Sequence, residues 1–552
     1  MTLLNALLLE SYPVHGWIAR RTDGIKGSGK TISDPFDGGT AARFDAFMNS
    51  LPANSVVHLG PGTFYTAGYS DDIATGGFQP KAGMKIIGSG IDVTTLQLAS
   101  NAQTVNGQLF AIGHALAAGG LPTTVDAFEV RDLTIDCNLE GQTGAGSVVA
   151  CGAVRIMGDH AKIQRVKAIH WGTKSDSRSC YVLSVITGHV VGLNVAEVAN
   201  CGIEECIALA PTKTGGSFFG PVTILHAGGK EAAKSVVEAY GRGPYIRNCH
   251  VDPGVDAAAA NFRALSMGWC KSGIVEGNQV YNTKIGGPYQ EITSSRDLVV
   301  RDNYYKNVTR GPYWKLGGVE PTTPLDLQDL SYDDRGPIDF TVALAITYEN
   351  PNNFQVGERV KIDVPAGNPS QYKGWFAIQE IADPFRFSYQ MISSVSQPVQ
   401  SGPTMQKVMG VNRLMVENNL IELATGTAAS AAIQVDDGGT PGQAAPLPDY
   451  VHGEVVIRGN KIRYLDGLFD TAYTGYGIEV NGTKYLTVKD NLVDSAVTHP
   501  IRNSRCGSAT YFNNTTPAGL LIQGWNQDLS RAYDELKTQV EDAFLLAYME
   551  QG

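Results

Sequence analysis

The sequence predicts an all-β chain wound as a solenoid, in which successive coils stack parallel strands on one another. The first observation is a phrase that returns along the 552 residues: an aliphatic residue, two polar residues, Asn and another strand former. Its five copies carry the asparagines Asn278, Asn303, Asn419, Asn460 and Asn491. The second observation is a strand pattern with one apolar face ahead of these copies, and the third is a content of 63 glycines. A chain that turns every few residues needs many glycines.

The spacing of the phrase predicts the size of a coil. Asn278 and Asn303 are 25 residues apart, which is too short for a helical-pair repeat and suits one coil of a β-solenoid. Equivalent positions of stacked coils lie about 4.8 Å apart, so one buried Asn per coil can bond the next, amide to amide. An asparagine ladder therefore explains why Asn persists in a phrase that is otherwise aliphatic.

The eight cysteines show no CxxC pair and no Cys/His spacing of a metal site. Cys206 and Cys249 take the ladder position of Asn in two earlier copies of the phrase. We therefore predict buried free thiols rather than disulfides or metal ligands. Free thiols suit assembly in a reducing cytoplasm. No metal and no cofactor is predicted.

Residues 33–98 predict how the solenoid begins. Thr40 can cap a helix over 41–48, and a strand over 56–59, a Gly-Pro-Gly-Thr-Phe turn, a Gly-Ser-Gly segment and a strand over 94–98 follow. This succession resembles the N-terminal part of pectin-lyase-like right-handed parallel β-helix proteins, among them bacteriophage tailspikes. The resemblance implies a right-handed parallel β-helix whose open end is covered by the helix, and the phrase extends it, more loosely, to about residue 515. Because that family includes lyases, hydrolases, isomerases and inert spikes, the resemblance selects no function.

The repeat is interrupted between Asn303 and Asn419. The excess over one coil has alternating segments at 353–362, 372–378 and 385–389. They resemble the small β-modules, with motifs such as F-x-V-G-D-x-V, that are common in phage tail and other surface proteins.

These features predict five parts. They are an N-terminal capping helix and lead-in segment over 1–79, a first part of the β-helix over 80–336, an inserted β-module over 337–409, a last part of the β-helix over 410–524 and a C-terminal helix over 525–552. The last helix has apolar residues at helical spacing. It either covers the final coil or joins protomers of an oligomer.

Charge and hydropathy restrict partners and location. The net charge is −11, which argues against nucleic acid and anionic membranes as partners. No apolar stretch reaches the length of a membrane span. The apolar run at 3–9 has no preceding basic residue and no small-residue cleavage site, so it predicts a packing helix rather than a signal peptide. The expected location is a virion or an extracellular surface, after assembly in the cytoplasm.

A row of polar residues is predicted on the outward face of one sheet. If the coils stack in register, the row contains Gln290, Lys315, Gln434, Glu479 and Arg502. It is either the floor of a groove or simply the solvated face that every solenoid has.

The phrase Gly-Pro-Tyr occurs twice, at 287–289 and 311–313, and Trp314 follows its second copy. Tyr289 precedes Trp314 by 25 residues, the length of one coil. The two rings are expected to stack either as a sugar platform or as ordinary packing.

Acid and base residues are predicted at the end of one strand. Asp436 and Asp437 form an Asp-Asp-Gly-Gly loop, and Glu479 lies one coil further on. Such carboxylates can hydrolyse a glycosidic bond, although a loop of this composition is also a common turn former. The Gly-His-Gly of polygalacturonases is replaced by Val-His-Gly at 451–453. A lyase would need an Arg or Lys base with a bound cation, and no acidic ligand cluster accompanies the basic residues. Hydrolysis is therefore favoured over elimination, and whether the chain is an enzyme stays open.

Three functions follow as alternatives. The first is a carbohydrate-recognising appendage of the phage tailspike or tail-fibre type, a homotrimer that binds a surface polysaccharide, with or without cleaving it, and contacts other tail or virion proteins. The second is a polysaccharide-degrading enzyme of the pectin-lyase-like superfamily. The third is a purely structural virion or tail component.

Overall fold

The structure is a computed structural model. It describes residues 13–70, 77–101, 108–142, 150–174, 179–191, 194–209, 218–227, 241–254, 263–268, 270–291, 295, 297–315, 325–332, 342–347, 359–383, 386–391, 399, 402–407, 412–424, 431–436, 452–464, 476–493, 499–504 and 506–515. Asp437 and the predicted C-terminal helix lie outside these residues.

In the part of the chain that the structure describes, the main sheet has 23 strands, and its neighbouring strands pair in parallel. Most coils contribute two strands to this sheet, one on each of two sides of the coil. In the later coils the two strands are separated by a two-residue turn, which we call the corner. Its strands are His15–Ala19, Phe36–Asp37, Val56–Leu59, Gly62–Thr66, Lys85–Ile87, Thr94–Leu98, Glu129–Asp136, Lys162–Ile169, Gly202–Glu204, Ile207–Leu209, Tyr245–Arg247, His250–Asp252, Ile274–Glu276, Gln279–Tyr281, Leu298–Arg301, Tyr304–Val308, Arg413–Glu417, Leu420–Leu423, His452–Arg458, Lys461–Tyr464, Thr483–Lys489, Leu492–Val493 and Ser508–Phe512.

A second sheet of 12 strands, the lateral sheet, forms the remaining side of the coil. Its strands are Gln108–Gly113, Ala150–Met157, Gly172–Thr173, Ser179–Val191, Asn194–Glu197, Phe218–Ala227, Leu265–Met267, Tyr289–Glu291, Tyr313–Lys315, Ala431–Asp436, Tyr476–Asn481 and His499–Ser504. Gly172–Thr173 and Asn194–Glu197 pair antiparallel, and the others pair in parallel. The predicted fold class, a parallel β-helix, is confirmed.

The smaller elements of the described residues are two short sheets, one α-helix and one 3-10 turn. Gly241–Arg242 pairs with Cys270–Lys271, and Ala117–Ala118 pairs with Leu121–Pro122. The α-helix Ala41–Ser50 begins at Thr40, whose side chain accepts a hydrogen bond from the Arg43 amide, and the 3-10 turn is Ser370–Tyr372. Phe44 and Met48 of the helix are buried in the same apolar core that runs through the coils.

Between the strands Tyr313–Lys315 and Arg413–Glu417 lies a closed antiparallel barrel. Its strands in barrel order are Leu325–Tyr332, Val342–Thr347, Arg386–Gln390, Gly374–Asp383, Arg359–Asp363 and Thr404–Lys407. The barrel has an apolar core of its own. It begins before residue 337, the predicted start of the inserted module. The β-helix continues across it, because Leu298–Arg301 pairs directly with Arg413–Glu417.

The asparagine ladder runs through the interior of the last coils. The side-chain amides bond in sequence at 2.8 to 3.0 Å, each Nδ2 donating to the Oδ1 of the next asparagine. The members are Asn278, Asn303, Asn419, Asn460, Asn491 and Asn514. Cys206 and Cys249 continue the row backwards, and all eight cysteines are buried free thiols, as predicted.

The residue before each ladder position turns the chain at the corner. From Asn248 to Asn513 these residues have φ between 52° and 67°, and each is Gly, Asn or Asp. Those residue types tolerate the left-handed region best. Position two before the ladder asparagine points outward, where Arg247, Glu276 and Arg301 form ion pairs of 2.7 Å. The sequence phrase is therefore one inward residue, one outward residue, one turn residue and one ladder residue.

Candidate functional site

The lateral sheet carries three polar residues at matched positions on three consecutive strands. Gln434 pairs with Glu479, and Glu479 pairs with Arg502. Ile433 and Val435 on the same strand are fully buried, as are Ile478 and Val480 on the next. Strand side chains alternate between faces, so the three polar residues lie on the face away from the core. We call these three residues the polar row.

Hydrogen bonds and charge hold the polar row in one arrangement. Gln434 Nε2 donates to Glu479 Oε2 at 3.0 Å, and Arg502 Nη1 lies 3.8 Å from Glu479 Oε1. The Arg502 guanidinium also donates to the Tyr476 hydroxyl and lies over the Tyr476 ring, 4.8 Å from its centroid. The amide, the carboxyl group and the guanidinium are thus oriented before any ligand binds.

The Glu479 carboxyl group has an unusual environment. Its residue is 6% exposed, and burial raises its pKa above the usual value. The positive charge of Arg502 opposes the increase and the negative charge of Asp436 adds to it. Desolvation and a second carboxylate both favour the protonated acid. Glu479 can therefore keep a proton at a pH where an exposed glutamate has lost it.

Gln434 is 8% exposed, and its Oε1 atom is buried without a hydrogen-bond partner. A buried acceptor without a donor costs about 1–3 kcal/mol. A water or a ligand hydroxyl that donates to this oxygen would recover that free energy. The orphan acceptor is next to Glu479, so it belongs to the same site.

Asp436, two residues after Gln434, lies on the same side of its strand. It is partly exposed, and the His452 ring Nε2 is 3.4 Å from its backbone oxygen. Asp436 influences the pKa of Glu479, so the two carboxylates are close enough to interact. Asp437 is outside the described residues, and its predicted role stays a prediction.

The predicted order of the row is wrong for Gln290 and Lys315. Tyr289 pairs with Tyr313, Gln290 with Trp314, and Glu291 with Lys315. The next coil pairs Tyr313 with Gln434 and Lys315 with Asp436. Gln290 is therefore in register with the inward position of Trp314, and Lys315 lies two residues beyond the polar row. Of Tyr289, Gln290 and Lys315 the structure describes only the backbone.

The error has a simple cause. The prediction used the 25-residue step of the ladder, but Tyr289 and Tyr313 are 24 residues apart on the lateral sheet. A shift of one residue moves a side chain to the opposite face of a strand. Trp314 is accordingly 0% exposed and packs in the core. Of the two alternatives stated for this ring, ordinary packing is therefore the correct one.

Two aromatic residues at the site were missed. Tyr313 is in register with Gln434, and the Arg310 guanidinium lies 4.5 Å from its ring centroid. Tyr476 orients Arg502, as described above. The repeated Gly-Pro-Tyr phrase could have predicted Tyr313, because aligning its two copies pairs Tyr313 with Tyr289. No pattern in the sequence pointed to Tyr476.

The described residues contain neither a candidate metal site nor a helix that could span a membrane. In that part of the chain no group of three or more His, Cys, Asp and Glu side chains could hold a metal ion. None of its helices is long and apolar enough to cross a membrane.

Comparisons with known proteins give matches only among solved structures. No protein-family model and no curated protein matches the chain. A tailspike protein mutant of E. coli bacteriophage HK620, in complex with a pentasaccharide, gives a TM-score of 0.48 at 11% identity, over 93% of this chain and 67% of that one. The N-terminal fragment of bacteriophage Phi29 gene product 12 gives 0.45 at 11% identity, over 93% and 68%. At this identity the likenesses concern the fold alone.

Proposed function

We propose that the chain is a polysaccharide-binding parallel β-helix of the phage tailspike type, which holds an extended glycan across the polar row. One observation carries the proposal. Gln434, Glu479 and Arg502 lie on consecutive coils and are already oriented by one another and by Tyr476. Groups fixed in advance bind a ligand without the entropy cost of ordering them.

The chemistry of the row suits a sugar chain. Neighbouring strands are about 4.8 Å apart, so the row offers a new polar group at each step along the coil axis. The orphan Gln434 acceptor can take a hydroxyl donor, and the Arg502 guanidinium can donate to a hydroxyl or carboxylate. The aromatic face of Tyr476 provides an apolar surface beside them.

The test is a glycan array with the wild type and Arg502→Gln. The variant is expected to bind any positive glycan about tenfold more weakly or worse, since a hydrogen bond to a charged group is worth about 1.5–3 kcal/mol. Arg413→Gln, an exposed arginine on the main sheet, serves as the matched control and should bind as the wild type. Equal binding by all three proteins would contradict the proposal. An array without any positive glycan would favour a purely structural role.

Cleavage is a second candidate, favoured by the raised pKa of Glu479 beside Asp436. A glycosidase needs one carboxyl group that stays protonated and another that is ionised. Glu479 suits the general acid and Asp436 the partner carboxylate. Glu479→Gln and Asp436→Asn should then stop the release of oligosaccharides from a bound polysaccharide while binding persists. Full activity in both variants would exclude these roles, and exposed Glu454→Gln is the control.

The proposal extends to assembly and location. A tailspike-type appendage would be a homotrimer on a virion surface, in contact with other tail proteins. Light scattering should then give a mass three times the 58.9 kDa of the chain. A monomer that degrades polysaccharide would instead favour the enzyme of the pectin-lyase-like class.

A further inference from the structure

The main sheet, to which the polar row does not belong, has an outward face with aromatic and basic residues. Two adjacent rows run along its corner strands. The first contains His250, Gln279, Tyr304, Leu420 and Lys461, and the second contains Asp252, Tyr281, Lys306, Glu422 and Arg463. The residues between the two rows, among them Val280, Tyr305 and Ile421, are buried. We call these two rows the aromatic strip.

The rings of the strip lie next to one another. The His250 and Tyr281 rings have centroids 5.1 Å apart at 36°, and the Tyr281 and Tyr304 rings have centroids 5.7 Å apart at 84°. The Tyr304 hydroxyl donates to Glu422 Oε2 at 2.6 Å, and Arg463 Nε donates to Glu422 Oε1 at 2.7 Å. Glu422 therefore fixes both a ring and a guanidinium.

At neutral pH Glu422 is ionised and Tyr304 is protonated. Burial alone would raise the pKa of Glu422, but the hydrogen bonds from Tyr304 and Arg463 outweigh it and lower the pKa. Burial and the contact with Glu422 raise the pKa of Tyr304 to about 12. The tyrosine therefore stays a donor and the glutamate stays an acceptor.

Positive charge is available along the strip. The Arg463 side chain is 58% exposed. Lys306 and Lys461 are exposed, and within the described part of the chain neither makes a side-chain hydrogen bond or ion pair. Of the two acids, Glu422 is paired with Arg463, and Asp252 accepts from Asn282 Nδ2 and the Gly254 amide. The charge of Lys306 also acts on Glu422, at a distance longer than an ion pair. A protein with a net charge of −11 thus presents exposed ammonium groups beside tyrosine rings.

We propose that the aromatic strip is a second saccharide-binding surface, which takes an anionic polysaccharide. Tyr281 and Tyr304 contact the apolar faces of sugar rings, and Lys306, Lys461 and Arg463 bind their carboxylates. From His250 to Lys461 the strip crosses four strand steps, about 19 Å at 4.8 Å per step, so it can contact several sugar units. It is separate from the polar row and does not depend on the function proposed for that row.

A second copy of the chain is the main competing occupant. Lysine is depleted in protein–protein interfaces, and unpaired like charges oppose association. The strip has two lysines without an ion pair, Lys306 at its centre and Lys461 at its edge. Charge complementarity therefore favours an acidic glycan over another protomer.

The experiment is affinity electrophoresis of the full chain in gels that contain polygalacturonate, hyaluronate, polysialate or neutral dextran. The wild type should be retarded by at least one acidic polymer and not by dextran. Tyr281→Ala should weaken that retardation about tenfold, because it removes one stacking ring. Lys306→Gln should weaken it in low salt and matter less in high salt. Tyr304→Phe, which keeps the ring, should retain binding.

Two control variants leave the aromatic strip intact. Tyr485→Ala removes another exposed tyrosine of the main sheet and Arg413→Gln removes an exposed arginine of the same sheet, so both should be retarded as the wild type is. Melting temperatures check that each variant is folded. Three results would overturn the proposal: no retardation by any acidic polymer, unchanged retardation of Tyr281→Ala, or a change of oligomeric mass in that variant, which would make the strip a protomer interface.

Discussion

The ladder corner and the lateral sheet belong to the same coils, yet the chain reaches them by different connections. At the corner, two residues separate the strands in every described copy of the phrase, as between Ile274–Glu276 and Gln279–Tyr281. Between the corner strands and the lateral sheet the connection varies: it has 4 residues after Val308, 11 residues after Tyr464 and 12 residues after Asp252. Because the corner turn has the same length in each coil, the same residue types recur there at fixed positions. Because the other connection varies in length, the spacing between the ladder asparagine and the lateral sheet differs from coil to coil. We therefore expect the corner to contribute most to the stability of the fold, and the lateral sheet to hold the binding site.

The largest difference should come from removing a ladder asparagine. Asn303→Ala removes the acceptor of the Asn278 backbone amide and leaves Asn278 Nδ2 with only its bond to the Ile246 carbonyl. The Val275 carbonyl and Asn419 Oδ1 each lose one donor. A buried hydrogen bond is worth about 0.5–1.5 kcal/mol and a stranded amide costs about 1–3 kcal/mol, so we expect a loss of about 3 kcal/mol in the free energy of unfolding. Chemical denaturation measures it. Exposed Asn194→Ala is the control, and an equal, small effect of both would refute a buried ladder.

A smaller loss is expected at the corner turn. Gly459 has φ +65°, and a Cβ there would lie 2.3 Å from Asn418 Oδ1. Gly459→Ala should destabilise the protein by about 1–2 kcal/mol, because a left-handed backbone strains alanine. Gly459→Asn should cost less, since Asn occupies the same turn position at Asn418 and Asn513. Thermal melting of the two variants ranks them, and an alanine variant as stable as the wild type would count against the strained turn.

The polar row should respond to pH, unlike the ladder, which has no titratable group. Because burial raises the pKa of Glu479, the folded chain holds this proton more tightly than the unfolded chain, whose value is near 4.5. Stability from this group is complete below the unfolded pKa and decreases as pH rises through the folded pKa. Glu479→Gln should therefore gain stability relative to the wild type as the pH rises above the unfolded value near 4.5.

Denaturation curves at several pH values test that direction. Asn303→Ala should lose the same free energy throughout the range. A difference between Glu479→Gln and the wild type that does not change with pH would contradict the raised pKa. Exposed Glu454→Gln provides the baseline.

The smallest effect is expected on the outer side of the corner. Arg301→Ala removes the 2.7 Å ion pair with Glu276, which keeps its pair with Arg247. Exposed ion pairs are worth about 0.2–1 kcal/mol. The loss should be within this range and should shrink in high salt, as measured by denaturation at two ionic strengths. A loss as large as that of Asn303→Ala would show that the ion row, and not the amide ladder, holds the corner.

The same contrast explains what the sequence could predict. The ladder from Asn278 to Asn491 and the slots of Cys206 and Cys249 followed from one phrase, because the corner never changes length. Asn514 was missed because Tyr511 and Phe512 stand where that phrase has an aliphatic and a polar residue. Gln434, Glu479 and Arg502 were aligned correctly within the last coils. Gln290 was not, because the step from Tyr289 to Tyr313 is one residue shorter than the ladder step, and a shift of one residue reverses the faces of a strand. Lys315 was aligned with Gln434 but pairs with Asp436, two residues further on.

The most direct test is a structure of the protein with an oligosaccharide that it binds on the array. We expect the sugar chain to lie across the lateral sheet, with Gln434, Glu479 and Arg502 contacting successive units. A sugar bound elsewhere, with these three residues in contact only with one another and with solvent, would contradict the assignment of the polar row.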